Sequence, residues 1–326
     1  MTRIPLPDTL SEVARSALAA WPDPNDLPDY PEPDDLAGWR DVRDGVEAEM
    51  RPAGALLAQT LDVAVEDVDL GGMDDLCVVP AGHDPARTDL VYLHGGGYTL
   101  FTARSSLASA ALAAAHTGRR VWSIDYPLAP EADADAIRAH VSRALGMREK
   151  LTGDSRFAAI GESAGASLWM AVCLDRHADG LVLPRAVVAM SPWSDLAERG
   201  DTYTTLSDAE MNYRYNGHLD RQARAYCPDT GRWRDPLVSP VYGDFSADFP
   251  PTLVQVGTRE IFLSNAVRLV RCLRSGGAEA RLDAYEGMTH AFQPFLGLHE
   301  APESAMAYAE ARNFLNRHAE PDGPIL

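Results

Sequence analysis

The sequence predicts an α/β protein whose mostly parallel sheet is covered by helices on both faces. Two observations carry this. From about Val65, apolar runs of strand length alternate with helix-length segments rich in Ala and Leu. The chain also has 326 residues, 46% of them hydrophobic, enough for one large core carrying insertions. Alternation of this kind buries both faces of a sheet and gathers functional groups at the carboxyl ends of its strands.

The elements follow in order. "DLCVV" and "DLVYL" read as strands, and "SSLASAALAAAHTG" as a helix closed by Gly118. "RVWSID" is a strand, "DADAIRAHVSRALGMREKL" a helix, "RFAAI" a strand, "SLWMAVCLDRH" a helix and "RAVVAM" a strand. Towards the C-terminus come "PTLVQVG" (strand), "SNAVRLVRCLRSGG" (helix), "EARLDAY" (strand) and "ESAMAYAEARNFLNRH" (helix). Two regions break the pattern. Residues 1–50 hold "WPDPNDLPDYPEPDDL", whose five prolines and six acids exclude a regular helix or a central strand. Short helices are expected on either side, around 11–20 and 34–50, with Trp21, Tyr30 and Trp39 available to pack. Residues from about 197 to 235 are polar and rich in Tyr and Arg. They read as a helical insertion above the strand ends. The expected division is an N-terminal cap over 1–50 and a catalytic domain over 51–326 containing that second cap segment.

Formal net charge is -19, which repels phosphate backbones, so nucleic-acid binding is not expected. Cys77, Cys173, Cys227 and Cys272 lie far apart and form no CxxC pair, which argues for free thiols over a disulfide framework or a zinc site. The N-terminal residues lack a secretory apolar core, and no stretch is apolar enough to span a membrane. The expected protein is soluble and cytoplasmic.

The chemistry is concentrated in two glycine-rich turns. Gly161-Glu162-Ser163-Ala164-Gly165 fits Gly-x-Ser-x-Gly, with a strand before it and a helix after it. Ser163 then sits in a strained turn where strand and helix approach closely, which demands small neighbours. The helix start also aims N–H groups and a positive dipole end at the site. His94-Gly95-Gly96-Gly97 directly follows a strand. Three successive glycines cost backbone entropy, and the compensating gain is close approach of N–H groups to a substrate oxygen. Gly96, Gly97 and Ala164 are the candidate donors to an oxyanion. His94 precedes the serine and is expected to order the loop through hydrogen bonds.

A serine hydroxyl needs an imidazole to take its proton and a carboxylate to orient that imidazole. In this fold type the order is serine, acid, histidine. Glu260 follows the strand "PTLVQVG" and precedes a helix, a better position than Asp248 or Asp283. His290 follows the next strand, after the turn Glu286-Gly287-Met288, with Phe292 and Phe295 expected to pack around it. His83, His116, His140, His177, His299 and His318 fall in predicted loops or surface helices, and His218 lies in the insertion.

These motifs together resemble the bacterial hormone-sensitive-lipase-like esterases of the α/β-hydrolase superfamily, over about Val65 to Phe295. "HGGGY" resembles the family's oxyanion loop and "DYPLAPE" its second fingerprint. "GESAG" resembles the nucleophile elbow, "SPWSDL", "DPLVSP" and "VGTREIFL" later segments, and "GMTHAF" the histidine loop. The resemblance implies an eight-stranded mixed sheet with a helical cap, Ser163 as nucleophile, His290 as base and Glu260 as acid. It also implies Gly96, Gly97 and Ala164 as oxyanion donors. The chain departs from the family at Glu162 and Glu260, where Asp is usual, and at Pro127, at "ADADA" and at Ala166.

The expected activity is hydrolysis of short- to medium-chain acyl esters or lactones through an acyl-enzyme, with no cofactor and no metal. The same triad also serves transacylation, cyclisation or elimination, and a non-catalytic binding protein on this fold is a further alternative. Trp39, Tyr98, Tyr203, Met211, Tyr213 and Tyr215 are candidates for lining the substrate pocket. Relatives of this kind suggest a homodimer.

Overall fold

The computed structural model describes residues 4–320. In chain order the elements are α1 (Glu12–Ala19), α2 (Leu36–Thr60), β1 (Val63–Val68), β2 (Asp75–Pro80), β3 (Leu90–Leu93), α3 (Leu107–Thr117) and β4 (Val121–Ile124). They continue with α4 (Ala134–Thr152), β5 (Ala158–Glu162), α5 (Ala164–Ala178), β6 (Val187–Met190), α6 (Thr202–Thr205) and α7 (Asp220–Tyr226). The chain closes with β7 (Thr252–Gly257), α8 (Leu263–Ser275), β8 (Ala280–Tyr285), α9 (Phe292–Gly297) and α10 (Pro302–His318). The eight strands form one sheet in the order β1-β2-β4-β3-β5-β6-β7-β8. β2 runs antiparallel to both β1 and β4, and every other pairing is parallel. The α/β expectation holds, and the carboxyl ends of β3, β5, β7 and β8 open onto one edge.

Each sheet face carries its own core. Trp169, Ile124, Val187 and Val256 belong to one cluster, Leu112, Ile160, Val188 and Tyr308 to the other. Adjacent residues of β5 and β6 therefore face opposite cores, as the two-residue period of a strand requires. No helix among the described residues is long and apolar enough to cross a membrane.

Local signals account for the helix ends. Ser11 caps α1 by accepting from Ala14 N at 3.1 Å, and Asp133 caps α4 by accepting from Ala136 N at 2.9 Å. Gly118 closes α3 at φ +68°. Two elements exceed the sequence reading. The edge strand β1 is only half-buried and its apolar run is broken by Glu66 and Asp67, yet it pairs with β2 along its whole length. Helix α2 runs ten residues past the expected end at residue 50, through Pro52. An interior proline costs about 3 kcal/mol. Burial of Leu57, worth about 2 kcal/mol, offsets much of that. Gly54 also lets the helix lie close against α3, where an added Cβ would stand 3.2 Å from Ala108 N. One continuous helix thus crosses the boundary expected at residue 50.

The insertion at about 197–235 is less helical than expected. It contains α6, of four residues, α7, of seven, a kinked helical turn at Tyr215–Leu219 and a single 3-10 turn at Thr230–Arg232. The reason is a tertiary contact. Gly217 sits at φ +84°, its carbonyl accepts from Tyr30 N at 2.9 Å, and the Asp29 carboxylate fills the space where a Cβ would stand. Arg214 and Arg221 both pair with Asp29, at 2.5 and 3.0 Å, and both donate to backbone carbonyls of the proline-rich segment. The acidic, proline-rich stretch and the arginine-rich insertion therefore build one cap from two distant parts of the chain.

Gly217→Ala should disturb this docking, because an L side chain at that φ costs about 1–3 kcal/mol even before it displaces Asp29. Faster tryptic cleavage at Arg214 and Arg221 is expected. Unchanged cleavage would mean that the N-terminal segment does not order the insertion.

Candidate active site

Ser163 stands between β5 and α5 at φ +54°, ψ -119°, a backbone region that L residues rarely occupy. Its surroundings hold it there. Ser163 N donates to Met190 O of the neighbouring strand at 2.9 Å, and its own carbonyl accepts from Trp193 N at 3.2 Å. A Cβ on Gly161 would lie 2.9 Å from Gly165 C, and one on Gly165 would lie 2.6 Å from Leu93 C. Both glycines are therefore sterically required where α5 starts against the sheet. Ala164 is the first residue of α5, so its N–H has no partner within the helix.

The glycine loop follows β3 with Gly96 and Gly97 both at positive φ, +92° and +60°. Buried side chains fasten its carbonyls. His94 Nδ1 lies 2.9 Å from Gly95 O, and its ring stacks on Tyr126 at 4.0 Å. Burial pushes the His94 imidazole down to about 4, so it is neutral near pH 7 and suits this structural bond. The Gly96 carbonyl accepts from Thr99 N, Leu100 N and Gln222 Nε2, at 3.1, 3.0 and 3.1 Å.

Glu260 and His290 meet behind the serine. His290 Nδ1 is 3.1 Å from Glu260 Oε2, and both side chains are buried. The other oxygen, Oε1, accepts from Ser191 Oγ at 2.7 Å and from Gly257 N at 2.5 Å. Ser191 Oγ in turn accepts from Ala291 N at 3.0 Å, which ties the acid to the histidine loop. His290 Nε2 has no hydrogen-bond partner, and His290 and Ser163 line the same cavity of about 440 Å³. No hydrogen bond joins the two side chains directly. The alternative acids lie elsewhere: Asp248 pairs with His177 at 3.1 Å on the surface, and Asp283 accepts from Tyr285 OH at 2.6 Å.

Several groups at the site make contacts that no sequence motif announces. Asn212 Nδ2 donates to His290 O at 2.9 Å. Glu210, buried beside it, accepts from Met211 N, Asn212 N and Ile261 N, so the insertion grips the residue after the acid. Burial raises the Glu210 carboxyl above its ordinary range. Glu162, also on the cavity wall and raised by burial, accepts from Tyr92 OH at 3.0 Å and Ser109 Oγ at 3.2 Å. Their roles depend on contacts across 50 to 80 residues of chain, which periodicity does not encode.

The pocket differs from the expectation. Of the six candidates, Tyr213 lines the cavity. Trp39 is buried with its Nε1 on Glu32 O, Tyr98 stacks on Tyr226 at 3.6 Å, and Tyr203 packs edge-on to Tyr215 at 5.7 Å. Tyr215 donates to Leu196 O, and Met211 joins the cluster of Leu10 and Phe292. These five side chains are taken up in packing between the N-terminal segment, the insertion and the rest of the protein. The walls come instead from α1, α3 and α9, with Ala17, Ala108 and Phe295 among them. The rings against His290 belong to Phe262 and Tyr213, at 5.0 and 5.2 Å, while Phe295 packs on Trp21 at 4.2 Å and Phe292 on Tyr285. Two histidines read as peripheral are otherwise placed: His299 lines the cavity and His140 is buried.

Comparison with known proteins gives a consistent picture. A family model described as the alpha/beta hydrolase fold matches residues 90–294. An acetyl-hydrolase of Streptomyces hygroscopicus is 32% identical over 251 residues, which are 73% of this chain and 81% of that protein. A crystallised esterase superposes with a TM-score of 0.88 at 29% identity, over 98% of both chains. A crystallised esterase from the bacterial hormone-sensitive lipase family superposes with a TM-score of 0.74 at 29% identity, over 85% of this chain and 97% of that one.

Ser191→Ala removes one donor from the Glu260 carboxyl and leaves the Ala291 N–H without its acceptor. The expected loss is about 1–3 kcal/mol of folding stability, read from urea unfolding. A variant as stable as the parent would contradict the bridging role.

Proposed function

Since the chain belongs to the α/β-hydrolase family, as a hormone-sensitive-lipase-like esterase that hydrolyses carboxylic esters, we propose that Ser163, His290 and Glu260 are its nucleophile, base and orienting acid. The observation that carries the assignment is the His290 Nδ1–Glu260 Oε2 contact of 3.1 Å, with the unpartnered Nε2 and the strained Ser163 on one cavity. Glu260 holds the ring in the tautomer that leaves Nε2 free to accept a proton. Its second oxygen is occupied by Ser191 and Gly257, so the carboxylate has one orientation in which to do this. The longer glutamate side chain thereby serves where a shorter aspartate is usual.

In the reaction, Ser163 Oγ attacks the ester carbonyl while His290 Nε2 takes the hydroxyl proton. The carbonyl oxygen becomes an oxyanion that accepts hydrogen bonds from the N–H groups of Gly96, Gly97 and Ala164. The imidazolium then gives its proton to the departing alcohol, leaving an acyl-serine. Water enters, His290 removes its proton, and a second tetrahedral intermediate collapses to the acid and free Ser163.

The substrate class follows from the walls. A cavity of about 440 Å³ closed by Ala17, Met50, Ala108 and Phe295 suits short- to medium-chain acyl esters or lactones. The likeness to an acetyl-hydrolase supports the short end of that range. The four free thiols fit a reducing compartment and support a cytoplasmic location.

Ser163→Ala should lower kcat on p-nitrophenyl butyrate by at least about 10⁴-fold, and Glu260→Gln by a comparable factor through the wrong tautomer. A Ser163→Ala protein as fast as wild type would sink the assignment. Ala17→Leu should shorten the preferred acyl chain, costing about 10-fold or more in kcat/KM for hexanoyl relative to acetyl esters. An unchanged chain-length profile would place the acyl group elsewhere.

A further inference from the structure

Building on the oxyanion reading of Gly96 and Gly97, we propose that Gln222, on cap helix α7, is a positioning residue that aims the Gly97 N–H. A peptide unit is planar and trans, so a carbonyl and the N–H that follows it point in opposite directions. Whatever fixes the Gly96 carbonyl therefore fixes the direction of the Gly97 N–H. Thr99 N and Leu100 N hold that carbonyl from within the loop, and Gln222 holds it from the cap side. Its Nε2 donates to Gly96 O at 3.1 Å and to Thr99 Oγ1 at 2.9 Å, and the side chain is 1% exposed.

Three further observations favour positioning over simple packing. The Gln222 amide lies directly against Gly97, where any Cβ would overlap it, so the contact is specific to this peptide. Gln222 Oε1 makes no hydrogen bond to the protein, so the side chain's bonds to the protein are all on the donor side. The preceding peptide is arranged in the same way, since His94 on Gly95 O fixes the Gly96 N–H. His94 belongs to the catalytic body, whereas Gln222 arrives from the insertion, 126 residues beyond the Gly96 it holds. The cap is thus part of the oxyanion machinery as well as a cover over the pocket.

The test compares wild type with Gln222→Leu, which keeps the bulk and removes the donor, and Gln222→Glu, which keeps the shape and donates only when protonated. With p-nitrophenyl butyrate, Gln222→Leu should lower kcat about 10-fold or more and leave KM within about 2-fold, since an oxyanion donor acts in the transition state. The inhibition constant of a trifluoromethyl ketone, which forms an oxyanion on the serine, should rise by the same factor. Gln222→Glu should be impaired at about pH 8 and recover relative to wild type as the pH falls towards about 6, as its carboxyl gains a proton. This second variant decides the matter if Gln222→Leu does not fold. Unchanged kcat, a loss confined to KM, an unchanged ketone affinity, or a pH-independent defect in Gln222→Glu would each overturn the proposal. Failure of the underlying reading shows separately, as retained activity in Ser163→Ala.

Discussion

The site depends on one close approach, that of the start of α5 to the sheet. Gly165 meets the end of β3 and Gly161 meets Gly165, with no room for a side chain at either place. That contact forces the turn in which Ser163 takes a positive φ, and the neighbouring strand holds it there through Ser163 N on Met190 O. The strain is compensated by the sheet, which is buried on both faces and does not yield. The same contact brings the N–H groups at the start of α5 beside the loop that follows β3, so the Ser163 turn and the glycine loop are set against each other by a single packing event.

Around this point, buried polar groups fix direction more than they add stability. Glu260 is held by Ser191 and Gly257, and Ser191 also holds the chain after His290. His94 and Gln222 each hold a carbonyl whose neighbouring N–H faces away. Such bonds are worth little on net when satisfied and cost much when broken, which suits them to orientation. Four of these bonds lie outside the insertion and one comes from it.

The cap explains why its own residues were hard to read. An acidic, proline-rich segment and an arginine-rich insertion look like solvated surface when taken singly. Together they neutralise each other through Asp29, Arg214 and Arg221, and they bury Tyr30, Trp39 and Tyr203 between themselves and the body. All of the aromatic rings expected in the pocket except Tyr213 were consumed by packing of this kind. Small residues from α1 and α3 shape the cavity together with Trp21, Phe101 and Phe295.

Local chemistry in the sequence determined the alternating strands and helices, the glycine-flanked serine turn and the triple-glycine loop, because each is dictated by periodicity or by the absence of a Cβ. The order of Ser163, Glu260 and His290 along the chain, each after a strand, was legible for the same reason. Tertiary structure alone decided that α2 continues through Pro52, that Gly217 breaks the insertion, that Ser191, Asn212 and Gln222 reach the site, and that Tyr213 alone of the six pocket candidates lines the cavity. Those outcomes are set by which distant surfaces meet, and a single hydrogen bond or ring contact across a hundred residues leaves no periodic trace in the chain.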